Sequence, residues 1–285
     1  MKKISVKIII STLCSIFRVC IRVSSLGRGY TLSKQNKDKR CIILANGPSL
    51  KEDVDKLENL PEVDYFVVNF FALSDHFMRL KPNYYVFADD AFWNSEEAMH
   101  RQAVIQRREL MKQFNRVNWE MNLFVPHKGI NSPVLKNLKS NPYIKLISYN
   151  TGTFEGASRL QLFLYKKNIC MPTTQNVLIP SIYLAINSGY RKIELYGADF
   201  SWTRSICVNI ENLLCQIDDH FYDKENVKIS PVLGYVDRPY RMHNYLNDLA
   251  SMFYGCWQVR DYADALGVKI LNHNKYSFID AFDKE

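Results

Sequence analysis

Short, uniformly apolar runs that alternate with helical patterns are the feature that most limits what this chain can fold into. The first run, residues 41–45 (CIILA), leads into the turn Asn46-Gly47-Pro48-Ser49, and a helical pattern follows. Similar runs cover residues 65–69, 84–88, 122–126, 144–148, 193–196 and 268–271. Strands without polar alternation are typical of a parallel sheet covered by helices on both faces. The sequence therefore predicts an α/β, Rossmann-like fold.

Polar residues stand where several of these predicted strands end. They are Asn46, Asn69, Asp89 and the segment Gly197-Ala198-Asp199. Because ligands of parallel sheets bind beyond the carboxyl ends of the strands, we expect these residues to converge on one crevice. The turn at residues 46–49, with a Ser cap and exposed backbone N–H groups, suits a phosphate, although a plain strand-to-helix turn fits it equally well. The chain lacks GxGxxG and GxxxxGK[ST], which argues against dinucleotide and P-loop ATP sites.

The net charge of +8 is concentrated at the N-terminus. Residues 1–40 contain ten Lys or Arg and one Asp, whereas residues 41–285 contain 27 basic and 28 acidic residues. The body is therefore not a general polyanion binder, and we expect no nucleic-acid partner. Residues 41–285 are long enough for one catalytic domain. The seven cysteines show no metal-ligand spacing, which indicates reduced thiols in a cytoplasmic protein without a structural metal. We also expect no resident cofactor.

Residues 4–23 are apolar, but their longest uncharged run, residues 8–17, is about half the roughly 20 residues of a membrane-spanning helix. Wound as a helix, the segment has a polar stripe of Lys3, Lys7, Ser11, Ser15, Arg18 and Arg22, and an apolar side of Ile9, Ile10, Leu13, Ile16, Phe17 and Cys20. The pattern favours an interfacial helix on the anionic inner face of the cytoplasmic membrane, with residues 24–40 as a linker. A signal peptide and a helix that covers the core are the alternatives.

His220 lies within the acidic run Asp218-Asp219-His220-Phe221-Tyr222-Asp223. Neighbouring carboxylates favour the protonated imidazole or orient its ring. An imidazole that titrates near neutral pH suits the removal of a proton from an attacking alcohol, which makes His220 the candidate general base. An exposed acidic loop with an incidental His is the alternative.

Five blocks of the chain, in order, are similar to those of the family 42 glycosyltransferases, bacterial sialyltransferases that act on lipooligosaccharide. The blocks are IILANGPSLKE, VVNFF, SIYLAINSGYRKIELYGADF, DHFYD and GVKILNHNKYSFIDAF. The resemblance implies a GT-A-like variant of the Rossmann fold with a small lid at about residues 201–240. It also implies a CMP-sugar donor, no metal and inversion at the anomeric carbon. Asn46, Gly47, Ser49 and Asn69 would hold the nucleotide, and His220 would be the base.

The chain departs from that family at two places. Asp89 stands where the family has Asn, and residues 201–204 replace two tyrosines that support the departing phosphate. Arg204, or the hydroxyls of Ser201 and Thr203, would serve a phosphate instead. The full predicted donor site comprises Asn46, Gly47, Pro48, Ser49, Asn69, Asp89, Gly197, Asp199, Ser201, Thr203, Arg204 and Ser277. The resemblance implies sialic acid as the donated sugar, while Asp89 leaves a related acid of the Kdo type or a different activated sugar open. The expected acceptor is a surface glycan such as lipooligosaccharide or capsule.

Two other functions are compatible with the same residues. The chain is loosely similar to archaeal-type pterin diphosphokinases, in which Asp89 and Asp90 would help to bind magnesium with ATP. The chain would otherwise be an inactive, membrane-attached scaffold of a polysaccharide assembly complex. The sequence leaves open whether the protein forms a homo-oligomer.

Overall fold

The computed structural model describes residues 6–22, 36–58, 60–99, 101–218, 228–232 and 240–285. The helices in these ranges are α1 (Val6–Arg22), α2 (Leu50–Leu57), α3 (His76–Leu80), α4 (Arg101–Asn115), α5 (Pro133–Lys136), α6 (Ser158–Lys166), α7 (Leu178–Asn187) and α8 (Met242–Asp264). The strands are β1 (Arg40–Leu44), β2 (Val63–Val68), β3 (Tyr84–Val86), β4 (Met121–Pro126), β5 (Ile144–Tyr149), β6 (Lys192–Tyr196), β7 (Ile206–Val208), β8 (Leu214–Asp218), β9 (Lys228–Pro231), β10 (Lys269–Asn272) and β11 (Asp283–Lys284).

Eight strands form one sheet in the order β11-β10-β6-β1-β2-β3-β4-β5. Every neighbouring pair in this sheet is parallel. The chain runs outward from β1 to β5 and then returns to the other side of β1 with β6. Such a reversal opens a crevice beyond the carboxyl ends of the two central strands. The predicted α/β fold with a parallel sheet is confirmed.

Each face of the sheet is covered by its own hydrophobic core. Along β1, Cys41 and Ile43 face the core that α7 and α8 complete, and Ile42 and Leu44 face the core that contains side chains of α2, α3 and α4. Helix α7 is buried along nearly its whole length. Burial on both faces explains why the strands read as continuous apolar runs.

The predicted lid segment, about residues 201–240, contains a small antiparallel sheet in the order β7-β8-β9. Strand β8 pairs with β7 on one side and with β9 on the other. Residues 219–227 and 233–239 lie outside the described part of the chain, and His220 is among them. A lid function for this segment stays a prediction.

Helix α1 contacts the core through Val19, which is partly buried against it. Ile9, Ile10, Leu13 and Phe17 are exposed, whereas Ser15 is only 3% exposed. The alternative of a core-covering helix therefore holds for Val19 and is wrong for these four exposed residues. None of the helices in the described ranges is long and apolar enough to cross a bilayer.

Candidate active site

A cavity of about 820 Å³ lies at the carboxyl edge of the large sheet, beside the β1–β6 reversal. It is lined by residues that follow β1, β2, β3, β4 and β6, together with the segment that leads into α7. The lining comprises residues 45–48, 68–70, 88–90, 128, 174–178, 197, 199–202, 204 and 205. The predicted convergence of the strand ends on one crevice is therefore found in the structure.

The turn after β1 lies directly against the turn after β6. Gly47 N donates to Gly197 O at 2.9 Å, and Ala45 N donates to Tyr196 O at 2.9 Å. A β-carbon on Gly47 would overlap the Asp199 carboxylate, and Gly197 has a φ of +66°. Both glycines are therefore required by the close approach of the two turns.

Asp199 is held by two side chains from distant parts of the sequence. Ser49 Oγ donates to Asp199 Oδ2 at 2.9 Å, and Asn274 Nδ2 donates to Asp199 Oδ1 at 2.9 Å. Burial raises the pKa of Asp199 above its ordinary value of 3.8, while the hydrogen bonds from Ser49 and Asn274 oppose that rise. With both carboxylate oxygens engaged, Asp199 positions the turns on either side of the crevice.

The expected role of Ser49 as a helix cap is wrong. Ser49 precedes α2, but its side chain makes no capping hydrogen bond. Its hydroxyl donates to Asp199 instead, because a partly buried carboxylate is a stronger acceptor. Asn274, which the sequence analysis missed, also donates to Ser49 Oγ at 3.0 Å.

Two asparagines at the ends of adjacent strands line the cavity, and the side-chain oxygen of each has no hydrogen-bond partner. Asn46 Nδ2 donates to Val68 O at 3.2 Å, which fixes the amide, and Asn46 Oδ1 is buried without a hydrogen-bond partner. Asn69 Oδ1 is likewise buried and unpaired, and Asn69 has the left-handed φ of 47° that Asn tolerates better than most residues. Buried polar atoms usually have a partner, so two unpaired oxygens beside one cavity indicate a ligand with hydrogen-bond donors.

Asp89 and Asp90 both line the cavity and both have protein partners. Asp89 Oδ1 accepts from Ala91 N at 2.8 Å, which caps the short helical turn at residues 90–92. Asp90 Oδ1 lies 2.6 Å from Lys128 Nζ. Arg107, only 2% exposed, braces this loop by donating to Ala91 O at 3.0 Å. Lys128 was missed by the sequence analysis because a lone Lys in a loop carries no pattern.

The segment after β6 divides into lining and non-lining residues. Ser201 and Arg204 line the cavity, as predicted, and the Arg204 guanidinium lies 4.7 Å from the centre of the Phe278 ring. Thr203 is exposed and is not among the lining residues. Ser277 is buried and also outside the lining, and its hydroxyl donates to Ala198 O at 2.6 Å.

The segment before α7 lines the cavity and was not predicted to be part of the site. Asn176 Oδ1 accepts from Leu178 N at 2.9 Å and so caps the start of α7. Asn176 Nδ2 is buried and unpaired. The sequence signal was the run Thr173-Thr174-Gln175-Asn176 directly before an apolar helix, since such residues favour helix starts.

None of the four histidines that the structure describes lines the cavity. His273 stacks on Tyr196 with ring centres 4.4 Å apart, and its Nε2 lies 3.2 Å from Glu194 Oε2. His76 lies in a cluster with Asp55 and Glu58 whose ligand atoms are within 4.8 Å of one another. The guanidinium of Arg79 already supplies a cation there, with its Nε 2.7 Å from Glu58 Oε1.

No protein-family model matches the sequence, and no curated protein matches it either. Among solved structures, the chain is similar to the sialyltransferase CstII from Campylobacter jejuni in complex with cytidine-5'-monophosphate, at 16% identity over 87% of this chain and 85% of that chain, with a TM-score of 0.43. CstII in complex with a trisaccharide acceptor and CMP matches at 16% identity over 86% and 85% of the two chains, with a TM-score of 0.37. The monofunctional α-2,3-sialyltransferase Cst-I from the same organism matches at 16% identity over 90% and 83%, with a TM-score of 0.38.

Proposed function

We propose that the protein is a glycosyltransferase that moves a sugar from a CMP-activated donor to a glycan acceptor. The observation that carries the proposal is the pair of unpaired amide oxygens, Asn46 Oδ1 and Asn69 Oδ1, at the ends of β1 and β2. An acceptor buried without a partner costs free energy until a donor reaches it. The exocyclic amine of cytosine and the hydroxyls of ribose are such donors, whereas uracil has a carbonyl in place of that amine.

The phosphate of the donor has a favourable place next to these oxygens. The backbone N–H groups of residue 47 and residues 50–52 at the start of α2 already donate to backbone carbonyls, so side chains of the cavity wall would hold the phosphate. Arg204 brings a positive charge to the cavity wall, and Ser201 brings a hydroxyl. A cation and hydroxyl donors stabilise the charge that develops on a departing phosphate, which is the part that CMP plays as leaving group.

The start of α7 is the natural partner for the acid group of the donated sugar. The first N–H groups of α7 already donate to Asn176 Oδ1, but Asn176 Nδ2 is buried without a partner in the cavity lining and would donate to a carboxylate. The positive end of the helix dipole also attracts an anion. An acidic sugar of the sialic acid or Kdo type therefore fits this wall better than a neutral sugar. Surface glycans such as lipooligosaccharide or capsule are the proposed acceptors.

His220 is the proposed general base. It follows β8 by two residues, and β8 pairs with β7, which begins two residues after Arg204 of the cavity wall. In the reaction, the imidazole takes the proton of an acceptor hydroxyl, whose oxygen attacks the anomeric carbon. The bond to the phosphate breaks on the opposite face, and CMP leaves with the electron pair. The result is inversion, and charge balance needs no metal.

The ATP-dependent diphosphokinase is less compatible with the site. That function requires Asp89 and Asp90 to bind magnesium with ATP. In the structure, Asp89 caps a helical turn and Asp90 pairs with Lys128, so both carboxylates have partners. An inactive scaffold would bind no ligand in the cavity, so it would not explain why the side-chain oxygens of Asn46 and Asn69 are buried without a partner.

Calorimetry with nucleotides tests the proposal. The full-length protein in EDTA is titrated with CMP, with UMP and GMP as matched controls, and separately with ATP and magnesium. We expect binding of CMP in EDTA and at least tenfold weaker binding of UMP, because the amide oxygens would face its carbonyl. Binding of ATP only in the presence of magnesium, with no heat from CMP, would replace this proposal with the diphosphokinase.

A further inference from the structure

Helix α1 docks on the body through hydroxyl groups. Ser11 Oγ donates to Glu155 O at 3.1 Å, Ser15 Oγ accepts from Glu155 N at 3.1 Å, and Thr12 Oγ1 accepts from Ala157 N at 2.9 Å. At Gly156, a β-carbon would lie 2.7 Å from Thr12 Cα, so the loop can approach the helix only because residue 156 is glycine. These contacts fix the helix on the loop at residues 155–157.

Docking through hydroxyls leaves most apolar residues of α1 facing outward, whereas Val19 is partly buried against the core. The exposed fraction is 61% for Leu13 and 67% for Phe17. The other large apolar side chains exposed on this helix are Val6, Ile8, Ile9, Ile10, Ile16 and Ile21. A contiguous apolar surface of this kind on a folded protein marks a place where another apolar phase or partner binds.

The charges around this surface favour an anionic bilayer over a second copy of the chain. Lys7 and Arg18 are exposed on α1, and residues 1–40 carry ten basic residues against one acid. Two copies that paired through α1 would bring together two N-terminal regions that each carry this excess of positive charge. An anionic lipid surface instead attracts the cations while the acyl region takes up the apolar side chains.

The docking loop lies at the same edge of the sheet as the cavity. It follows the carboxyl end of β5, and all eight strands of the large sheet are parallel. Thr153, just before the loop, forms a β-bridge with Met171, and the segment after Met171 lines the cavity from Thr174 onward. The segment that leads to the docking loop is therefore paired with the segment that leads to the cavity lining.

We infer that α1 is a docked interfacial helix that binds an anionic lipid bilayer and holds the carboxyl edge of the sheet, with its cavity, beside the bilayer surface. Bilayer binding and this orientation do not depend on catalytic activity. If the protein is also the transferase proposed above, this orientation presents the cavity to acceptors that are attached to the bilayer.

Flotation with vesicles tests the bilayer binding. The full-length protein is mixed with phosphatidylcholine vesicles that contain or lack phosphatidylglycerol. The double variant Leu13→Asp/Phe17→Asp removes two exposed apolar side chains, and Leu246→Asp, 49% exposed on α8, is the matched control. We expect the double variant to lose about tenfold or more of the binding to anionic vesicles and the control to bind like the wild type.

Equal flotation of the double variant and the wild type would overturn the inference. Sedimentation without lipid is the second measurement, and a wild-type dimer that the double variant abolishes would also overturn it. The second result would assign the apolar surface to another copy of the chain. Because neither measurement uses the nucleotide or the acceptor, failure here is separate from failure of the proposed function.

Energy transfer to headgroup-labelled lipid tests the orientation. In a background with Cys14, Cys20 and Cys207 replaced by Ser, a donor dye is placed by Thr203→Cys, next to the cavity-lining Arg204, or by Lys139→Cys before the amino end of β5. We expect the greater transfer efficiency from position 203. Equal efficiencies, or a greater efficiency from position 139, would refute the orientation.

Gly156→Ala distinguishes the docking of α1 on the loop at residues 155–157 from the binding of α1 to the bilayer. The added methyl group collides with Thr12 and should release α1 from the loop. We expect this variant to float like the wild type and to lose the difference in energy transfer between positions 203 and 139. Retention of that difference would show that the loop contact does not orient the body.

Discussion

Replacing Asn69 with Gly tests whether the Asn69 side chain contributes to ligand binding or to the stability of the fold. Asn69 has a φ of 47°, which Gly adopts without strain. The backbone contacts of the residue do not depend on its side chain: its N–H donates to Val86 O at 3.1 Å, and its carbonyl accepts from the Tyr85 hydroxyl. The side-chain oxygen has no partner to lose.

The free energy of unfolding without ligand should therefore change little. Removal of an unpaired buried acceptor is favourable, and the greater freedom of Gly in the unfolded chain costs about 0.5–1 kcal/mol. We expect a net change within about 1 kcal/mol, or a shift in Tm of less than about 4 °C. The loss of CMP affinity should be larger, at about 1.4–2.8 kcal/mol, which is about 10- to 100-fold in Kd.

Asn212→Gly is the matched control, because Asn212 also has a left-handed φ, of 55°, but is exposed and outside the cavity lining. Thermal unfolding and calorimetry with CMP are measured for both variants. The control should match the wild type in both. An Asn69→Gly protein that keeps full CMP affinity, or that loses several kcal/mol of stability without ligand, would refute the assignment of Asn69 to the nucleotide.

Three further predictions concern the support of the crevice. Gly47→Ala should lose about 1–3 kcal/mol of stability in thermal unfolding, because the methyl group overlaps Asp199, whereas Gly152→Ala, with only Ile169 O at 3.7 Å, should stay within about 1 kcal/mol. Burial raises the pKa of Asp199 in the folded protein above its ordinary value of 3.8. The free energy of unfolding of the wild type should therefore fall as the pH rises from 3.8 through the raised pKa. Asp199→Asn has no carboxylate to ionise, so its free energy of unfolding relative to the wild type should rise across the same pH range in urea titrations. Arg107→Met should cost about 2–4 kcal/mol, because Ala91 O loses a buried donor, and protease cleavage should increase in the loop that carries Asp89.

Contrary results are equally specific. Equal stabilities of the two glycine variants would show that the crevice has room for a methyl group. A pH-independent difference for Asp199→Asn would show that its ionisation is not linked to folding. An unchanged cleavage rate at residues 89–96 in Arg107→Met would show that the arginine does not hold that loop.

The strands of the large sheet were predictable because burial on both faces makes each a short apolar run. The predicted run at residues 41–45 corresponds to β1 at residues 40–44, and the run at 193–196 corresponds to β6 at 192–196. Strand β11 was not predicted, since two residues, Asp283 and Lys284, carry no periodicity. The boundaries differ by one or two residues because hydrogen bonding, not composition, ends a strand.

Cavity-lining residues could be predicted only where they follow the end of a predicted strand. Asn46, Asn69 and Asp89 line the cavity because each follows a parallel strand. Ser49 and Ser277 were assigned to the ligand, but their hydroxyls bond to protein groups. That outcome depends on three-dimensional neighbours, Asp199 for Ser49 and Ala198 O for Ser277, which the sequence does not place.

The orientation of α1 could not be predicted from its helical pattern. The pattern separates a polar stripe from an apolar side, but it does not specify what the stripe contacts. In the structure, the middle of that stripe, at Ser11 and Ser15, bonds to the loop at residue 155. The loop offers a free carbonyl and N–H, so the polar side docks and the apolar side is left outside.

Turnover of a CMP-sugar tests the central claim most directly. The full-length protein in EDTA is supplied with CMP-sialic acid or CMP-Kdo and a lipooligosaccharide-type acceptor, and CMP release and the anomeric configuration of the product are followed by NMR. The control variant is His243→Ala, whose imidazole is exposed on α8. We expect release of CMP with inversion, and a loss of about 10²- to 10⁴-fold in His220→Ala but not in the control. No CMP release from either donor, or full activity in His220→Ala, would contradict the account.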